Sequence, residues 1–134
     1  MSDKLDARAR EVLKQPVIVR INTVTPDGYP HSVPIWFMLD GDDLIVFTER
    51  KSAKVKHLLA NPHGSLAFGG DPVGSPCYLI EGDFVIEDDP DHAVTSRVTH
   101  HYETPERAKE LLAAWKNDDE VILRLKPGRV IKIS

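Results

Sequence analysis

Val17-Ile-Val-Arg-Ile-Asn-Thr-Val-Thr-Pro-Asp-Gly-Tyr-Pro-His-Ser-Val-Pro-Ile-Trp-Phe37 is the stretch that decides the fold. Residues 17–24 are rich in β-branched side chains, whose stiff χ1 suits a pleated surface, and read as a strand. Pro26-Asp27-Gly28 reads as a turn: proline presets φ, aspartate bonds nearby backbone, and glycine accepts a positive φ. A second strand is expected from Tyr29 to Leu39. It carries Pro30 and Pro34, each of which removes a ladder donor, so it marks an edge, a bulge, or backbone turned toward a ligand. Asp40-Gly41-Asp42 gives the next tight turn and Leu44 to Thr48 a third strand, completing an antiparallel meander.

Reading outward, Leu5, Ala9, Val12 and Leu13 fall at helical spacing across residues 3–14, with Ser2 or Asp3 as the cap and Pro16 as the stop. Downstream, residues 51–60 read as a basic helix with Val55, Leu58 and Leu59 as its apolar stripe, stopped by Asn61-Pro62. Ser65 to Phe68 is a short strand, followed by a Gly/Pro-rich loop from Gly69 to Pro76. Residues 78–87 alternate, with Tyr78, Ile80, Phe84 and Ile86 on one face and Glu81, Asp83 and Glu87 on the other. Asp89-Pro90 opens a helix running to Tyr102, and Thr104-Pro105 opens another with Ala108, Leu111, Leu112 and Trp115 as its apolar face. Two last strands, 121–125 and 129–133, flank a Lys126-Pro127-Gly128 turn. Helices thus interrupt an antiparallel sheet. The class is mainly β, a closed or nearly closed barrel with flanking helices, in one domain over residues 1–134.

The bulk composition bounds the function. The chain has 134 residues, 41% hydrophobic and 28% charged, with a net charge of −4, which suits one globular domain. No apolar run approaches a membrane span, and the N-terminal residues have no signal core. Cys77 is the single cysteine, so no intrachain disulfide forms and a reducing, cytoplasmic setting is expected. A pI near 5.8 argues against a general nucleic-acid binder, which needs a broad basic face.

Against that acidic background, Arg50, Lys51, Lys54 and Lys56 cluster where a strand hands over to a helix. A helix N-terminus favours anions through its free N–H groups and dipole, and lysines add full charge, so the junction suits a phosphate. Lys51 and Lys54 share a face near Ser52, whereas Lys54 and Lys56 do not. Spacing alone equally fits a solvated charged face, the commoner fate of such runs. No Walker-type or Gly-x-Gly-x-x-Gly loop is present. Pro34-Ile35-Trp36-Phe37 can offer backbone groups and an aromatic side chain to a flat heterocycle, or pack simply as an edge strand. Histidines 31, 57, 63, 92, 100 and 101 show no metal spacing, Cys77 has no partner, and no metal is expected. Asp42-Asp43, Asp88-Asp89 and Asp118-Asp119 sit at turns, where capping or solvation accounts for them.

A strand, then Pro-Asp-Gly-x-Pro-His-x-x-Pro-Ile-Trp-Phe, a Gly-Asp turn, Phe-Thr, and Ser-x-Lys-x-x-x-Leu-x-x-Asn-Pro together resemble the pyridoxamine 5′-phosphate oxidase-like split-barrel flavoproteins. Tyr78-Leu-Ile-Glu-Gly82 resembles a later barrel strand of the family, and the likeness runs from Leu5 to Ile133. The chain is most similar to the small flavin/deazaflavin oxidoreductases of that family, the F-420-dependent group. The resemblance implies a six-stranded antiparallel split barrel and a homodimer with cofactor sites at its interface. It implies F-420 or FMN as cofactor and hydride transfer to an activated double bond of a small molecule. Lys54 becomes the phosphate lysine, with Ser52, Lys51 and Lys56 beside it. Ser32, Val33, Pro34, Ile35 and Trp36, with Phe47 and Thr48, become the ring seat, covered by the partner through the Phe68 strand or the loop to Tyr78. A haem on the same barrel would need an axial ligand, for which His31 is the strand-borne candidate. The chain is shorter than the vitamin-making oxidases and lacks an arginine-rich C-terminal segment, so pyridoxamine phosphate is not the expected substrate. Tyr29, His31 and Tyr78 are candidate proton donors, none selected by spacing.

Overall fold

The computed structural model describes residues 5–70 and 76–133. In order they form α1 (Ala7–Leu13), β1 (Val19–Val24), β2 (Pro30–Ile35), β3 (Met38–Asp40), β4 (Asp43–Glu49), α2 (Ala53–Ala60), β5 (His63–Gly69) and β6 (Cys77–Asp88). A 3-10 turn, Pro90–His92, then leads to α3 (Ala93–Tyr102), α4 (Pro105–Trp115) and β7 (Glu120–Ile133). The seven strands make one sheet in the order β2-β1-β5-β6-β7-β4-β3, every neighbouring pair antiparallel.

The topology itself closes this sheet. β2 and β3 lie at opposite edges, yet only Trp36 and Phe37 separate them in the chain. From Ile35 to Met38 the chain reaches roughly 10 Å at most, so the two edges must curl toward one another. The result is a barrel split between β2 and β3, mainly β with flanking helices. Pro30 and Pro34 are tolerated because β2 is an edge strand whose other side has no ladder partner.

The strand count is seven, the number read along the sequence and one more than the six that the resemblance implies, and two boundaries differ in ways that offset each other. The expected strand 29–39 breaks at Phe37, whose N–H donates to the Tyr102 hydroxyl (3.1 Å) instead of a ladder carbonyl. The expected Lys126-Pro127-Gly128 turn does not form, and β7 runs through it unbroken against β6. The register shifts between Glu81 and Gly82, leaving Gly82 opposite Pro127. A Cβ on Gly82 would lie 2.2 Å from the Lys126 carbonyl oxygen, so this bulge requires glycine there.

Three further expectations are corrected. Helix α1 is capped by Asp6, whose Oδ1 accepts the Ala9 N–H at 2.7 Å, and the proposed Ser2 or Asp3 cap lies outside the described residues. The helix expected from Pro90 is interrupted, because Asp91 and His92 take φ of 57° and 53°. On α2, Val55 and Leu58 are buried, but Leu59 is 73% exposed and His57 takes its place at 8%.

The barrel interior holds Val19 and Ile21, Leu44 and Val46, Leu66 and Phe68, Tyr78 and Ile80, and Leu123 and Leu125, with α1 contributing Ala9 and Leu13. On the outer face, α3 packs over β4 and β7. Ile45 and Ile122 are thereby buried on the side opposite Leu44 and Leu123, to 1% and 5% exposure. No described helix is long and apolar enough to cross a membrane.

Candidate functional site

The basic junction folds as α2, with Ser52 at its N-cap in an extended conformation. The Ser52 side chain makes no capping bond, although such a residue ordinarily accepts one from the first turn. Its Oγ is buried and unpartnered. No acidic side chain occupies the first turn, so nothing in the helix offsets its positive end. Lys54 is half-buried, and burial holds its ammonium below the usual lysine range. A desolvated ammonium near an undercapped helix start is a place that gains from an anion.

The other members of the cluster are arranged differently. Arg50 is committed: its Nε donates to Asp119 (2.8 Å) and its Nη2 to Asp88 (2.5 Å), and these bonds raise its pKa further. Lys51 is 86% exposed and lies 3.4 Å from Glu49. Lys56 is exposed.

The expected ring-lining residues divide into two groups. Pro34, Ile35, Trp36 and Phe47 come together in an apolar cleft of about 490 Å³, completed by Ile18 and Trp115. Trp36 stacks on Tyr102, centroids 5.0 Å apart and planes 9° apart, and Phe47 leans on Trp115 at 5.9 Å. The Tyr102 hydroxyl donates to the Val17 carbonyl (2.6 Å) while accepting the Phe37 N–H, so one side chain from α3 pins the seam and positions Trp36. Burial pushes that hydroxyl up to about 12. Ser32, Val33 and Thr48 do not line this cleft. Ser32 is exposed, and Val33 packs against the core. Thr48 alternates to the face opposite Phe47 and pairs with Val121. Ser52, Lys51, Lys54 and Lys56 likewise stand outside the cleft. Sequence reasoning missed Ile18 and Trp115, which only the packing of the barrel seam and α4 brings in. Phe68 is buried, and the core of the covering loop, 71–75, lies outside the described residues.

The candidate proton donors separate cleanly. Tyr78 is fully buried, stacks on Phe68 at 5.1 Å and donates to Asp6 (3.3 Å), so it is a core residue. Tyr29 is 71% exposed. His31 is half-buried with an unpartnered Nδ1, edge-on to His57 at 4.9 Å. His57 shares a 2.9 Å hydrogen bond with Thr23, and burial followed by the nearby His31 holds its pKa down. Cys77, half-buried, begins β6.

Solved structures of similar shape bear on this arrangement. An F-420 reductase is 25% identical, with a TM-score of 0.73, covering 91% of this chain and 94% of that one. A conserved hypothetical protein of Mycobacterium tuberculosis is 20% identical, with a TM-score of 0.75, covering 98% and 87%. The haem storage protein HutZ of Vibrio cholerae is 16% identical, with a TM-score of 0.68, covering 96% and 94%, a likeness of fold alone. No curated protein matches the sequence. The family profile described as pyridoxamine 5′-phosphate oxidase matches residues 5–133, and with the split barrel in place the chain belongs to that family.

Proposed function

We propose that this chain is an oxidoreductase that binds reduced coenzyme F-420, with FMN as the alternative cofactor, and passes hydride to an activated double bond of a small molecule. The observation that carries the reading is the start of α2, where Ser52 Oγ is buried without a partner and Lys54 is desolvated without an anion. A phosphate there would accept from the Ser52 hydroxyl, from first-turn N–H groups and from Lys54, relieving all three. The likeness to the F-420 reductase supports the same cofactor class.

The chain's own residues have distinct tasks in this reading. Lys54 and Ser52 anchor the phosphate, and exposed Lys51 and Lys56 add charge for an anionic tail. Pro34, Ile35, Trp36 and Phe47 offer a dry seat of a size suited to a flat ring system. Tyr102 and Trp115 hold the aromatic walls of that seat. The cofactor supplies the hydride chemistry, and the protein supplies orientation and water exclusion. A second copy of the chain covers the open side in a homodimer, using the exposed Ile18 (54%) near the cleft and Leu59 (73%) on α2.

Binding of F-420, FMN and haem, each followed by fluorescence quenching or absorbance, tests the cofactor. Tight F-420 with weak FMN is expected, while FMN retained through purification overturns the F-420 reading in favour of a flavoenzyme. Stopped-flow reoxidation of bound reduced cofactor by enones and quinones tests turnover. Reoxidation no faster than by dioxygen for every acceptor makes the chain a binding module.

A further inference from the structure

The outer end of the β4–β7 pair carries an arrangement that the proposed cofactor site does not use. Glu49 and Glu120 are register partners, so their side chains stand on the same face of the sheet. Like charges placed directly opposite each other cost stability unless something lies between them. Asp118 joins them from the turn after α4, where its N–H donates to the Trp115 carbonyl (2.8 Å). One carboxylate oxygen from each of the three lies within 4.8 Å of the others. Two oxygens held about 2.4 Å from a common ion lie no further apart than that.

Burial supplies a second, separate observation. Glu120 is only 6% exposed, yet its Oε2 has no hydrogen-bond partner. Asp89, in the same cleft and also 6% exposed, is fully served: its oxygens accept from the Val94 and Thr95 N–H groups and from the Thr95 hydroxyl at 2.6–2.9 Å. Among the described residues no cation forms an ion pair with Glu120, although Lys116 also lines the cleft. Arg50 binds Asp88 and Asp119, Lys51 reaches Glu49, and His92 Nε2 is hydrogen-bonded to the Asp118 carbonyl (2.9 Å). The adjoining cleft, about 750 Å³, is markedly acidic and open to solvent, which rules it out as a phosphate seat but suits a cation.

We propose that Glu49, Asp118 and Glu120 bind a hard divalent cation of the Ca2+ or Mg2+ class. The donors are all oxygen, the choice of such ions over softer metals. A buried carboxylate without a partner keeps its charge only at high cost, and a divalent ion removes that cost for Glu120 while offsetting the repulsion from Glu49 and Asp118. Carboxylates bind a cation only in their ionised form, so binding strengthens as pH rises. The site escaped the sequence because Glu49 and Glu120 are brought together only by strand register.

The test is isothermal titration of the full chain with CaCl2, MgCl2 and MnCl2 at pH 8 and pH 5.5, beside thermal melts with and without EDTA. One ion per chain with a Kd of about 10⁻⁵–10⁻³ M is expected, weaker at the lower pH. Glu120→Gln and Asp118→Asn should each weaken binding at least tenfold, while circular dichroism shows both folded. Should Glu120→Gln fail to fold, Glu49→Gln on the more exposed partner carries the same expectation. No binding of any of the three ions at millimolar concentration overturns the proposal. Affinity unchanged in the folded variants overturns it equally, by placing the ion elsewhere.

Discussion

Replacing Tyr102 by phenylalanine isolates the contact that holds the barrel seam. The variant keeps the ring stacked on Trp36 and removes one oxygen, which donates to Val17 and accepts from Phe37. Each lost hydrogen bond is worth about 1 kcal/mol net, and the Phe37 N–H adds a desolvation cost of about 1–3 kcal/mol because that residue is fully buried. The expected loss is about 3–5 kcal/mol, a fall in Tm on the order of 10–20 °C for a chain of this length. Urea unfolding, read by Trp fluorescence and circular dichroism together, measures it as a lower midpoint at unchanged slope. The pH dependence gives an independent reading. Burial pushes the Tyr102 hydroxyl up to about 12, whereas the unfolded chain ionises near 10. Above pH 10 the unfolded state binds fewer protons than the folded one, so the native advantage is lost as pH rises from about 10 to about 12. The gap between wild type and Tyr102→Phe should narrow across that window. A loss below about 0.5 kcal/mol at pH 7 would refute the claim that Tyr102 pins the seam.

Gly82→Ala should destabilise by more than about 3 kcal/mol or prevent folding, because its Cβ meets the Lys126 carbonyl oxygen at 2.2 Å, a backbone atom that cannot swing aside. A thermal melt within 3 °C of wild type would contradict the bulge. His57 contributes stability that is present above the unfolded histidine pKa near 6.5 and lost as pH falls below it, since burial and His31 keep the folded imidazole neutral. Denaturant midpoints between pH 7.5 and 5.5 should therefore fall more steeply for wild type than for His57→Gln, and parallel profiles would remove His57 from the account.

The meander was legible because its signals are local. Gly28, read as the residue needing a positive φ in the first turn, takes +88°, and Thr104-Pro105 opens α4 with the threonine side chain accepting the Arg107 N–H. What escaped depends on partners distant in the chain. Lys126-Pro127-Gly128 carries the local chemistry of a turn, but Gly82 across the sheet lets the strand continue as a bulge. His57 outranks Leu59 as the buried residue of α2 because Thr23 on β1 gives its ring a polar partner. The site was legible to the same degree. Pro34, Ile35, Trp36 and Phe47 meet as the pattern suggested, whereas Thr48 is turned away from Phe47 by strand alternation, and Ser32 and Val33 sit further back along β2 from the seam. Arg50 looked like part of the basic cluster, and only the fold places Asp88 and Asp119 within its reach.

The central claim is that Lys54, with Ser52, holds a cofactor phosphate at the start of α2. Its most direct test is the Kd of F-420 and of FMN for wild type and Lys54→Ala at fixed ionic strength, with circular dichroism confirming the fold. Losing a charge-assisted contact of about 1.5–3 kcal/mol predicts a Kd about 10–100-fold weaker for the cofactor the protein uses. An unchanged Kd for both cofactors in Lys54→Ala would contradict the claim.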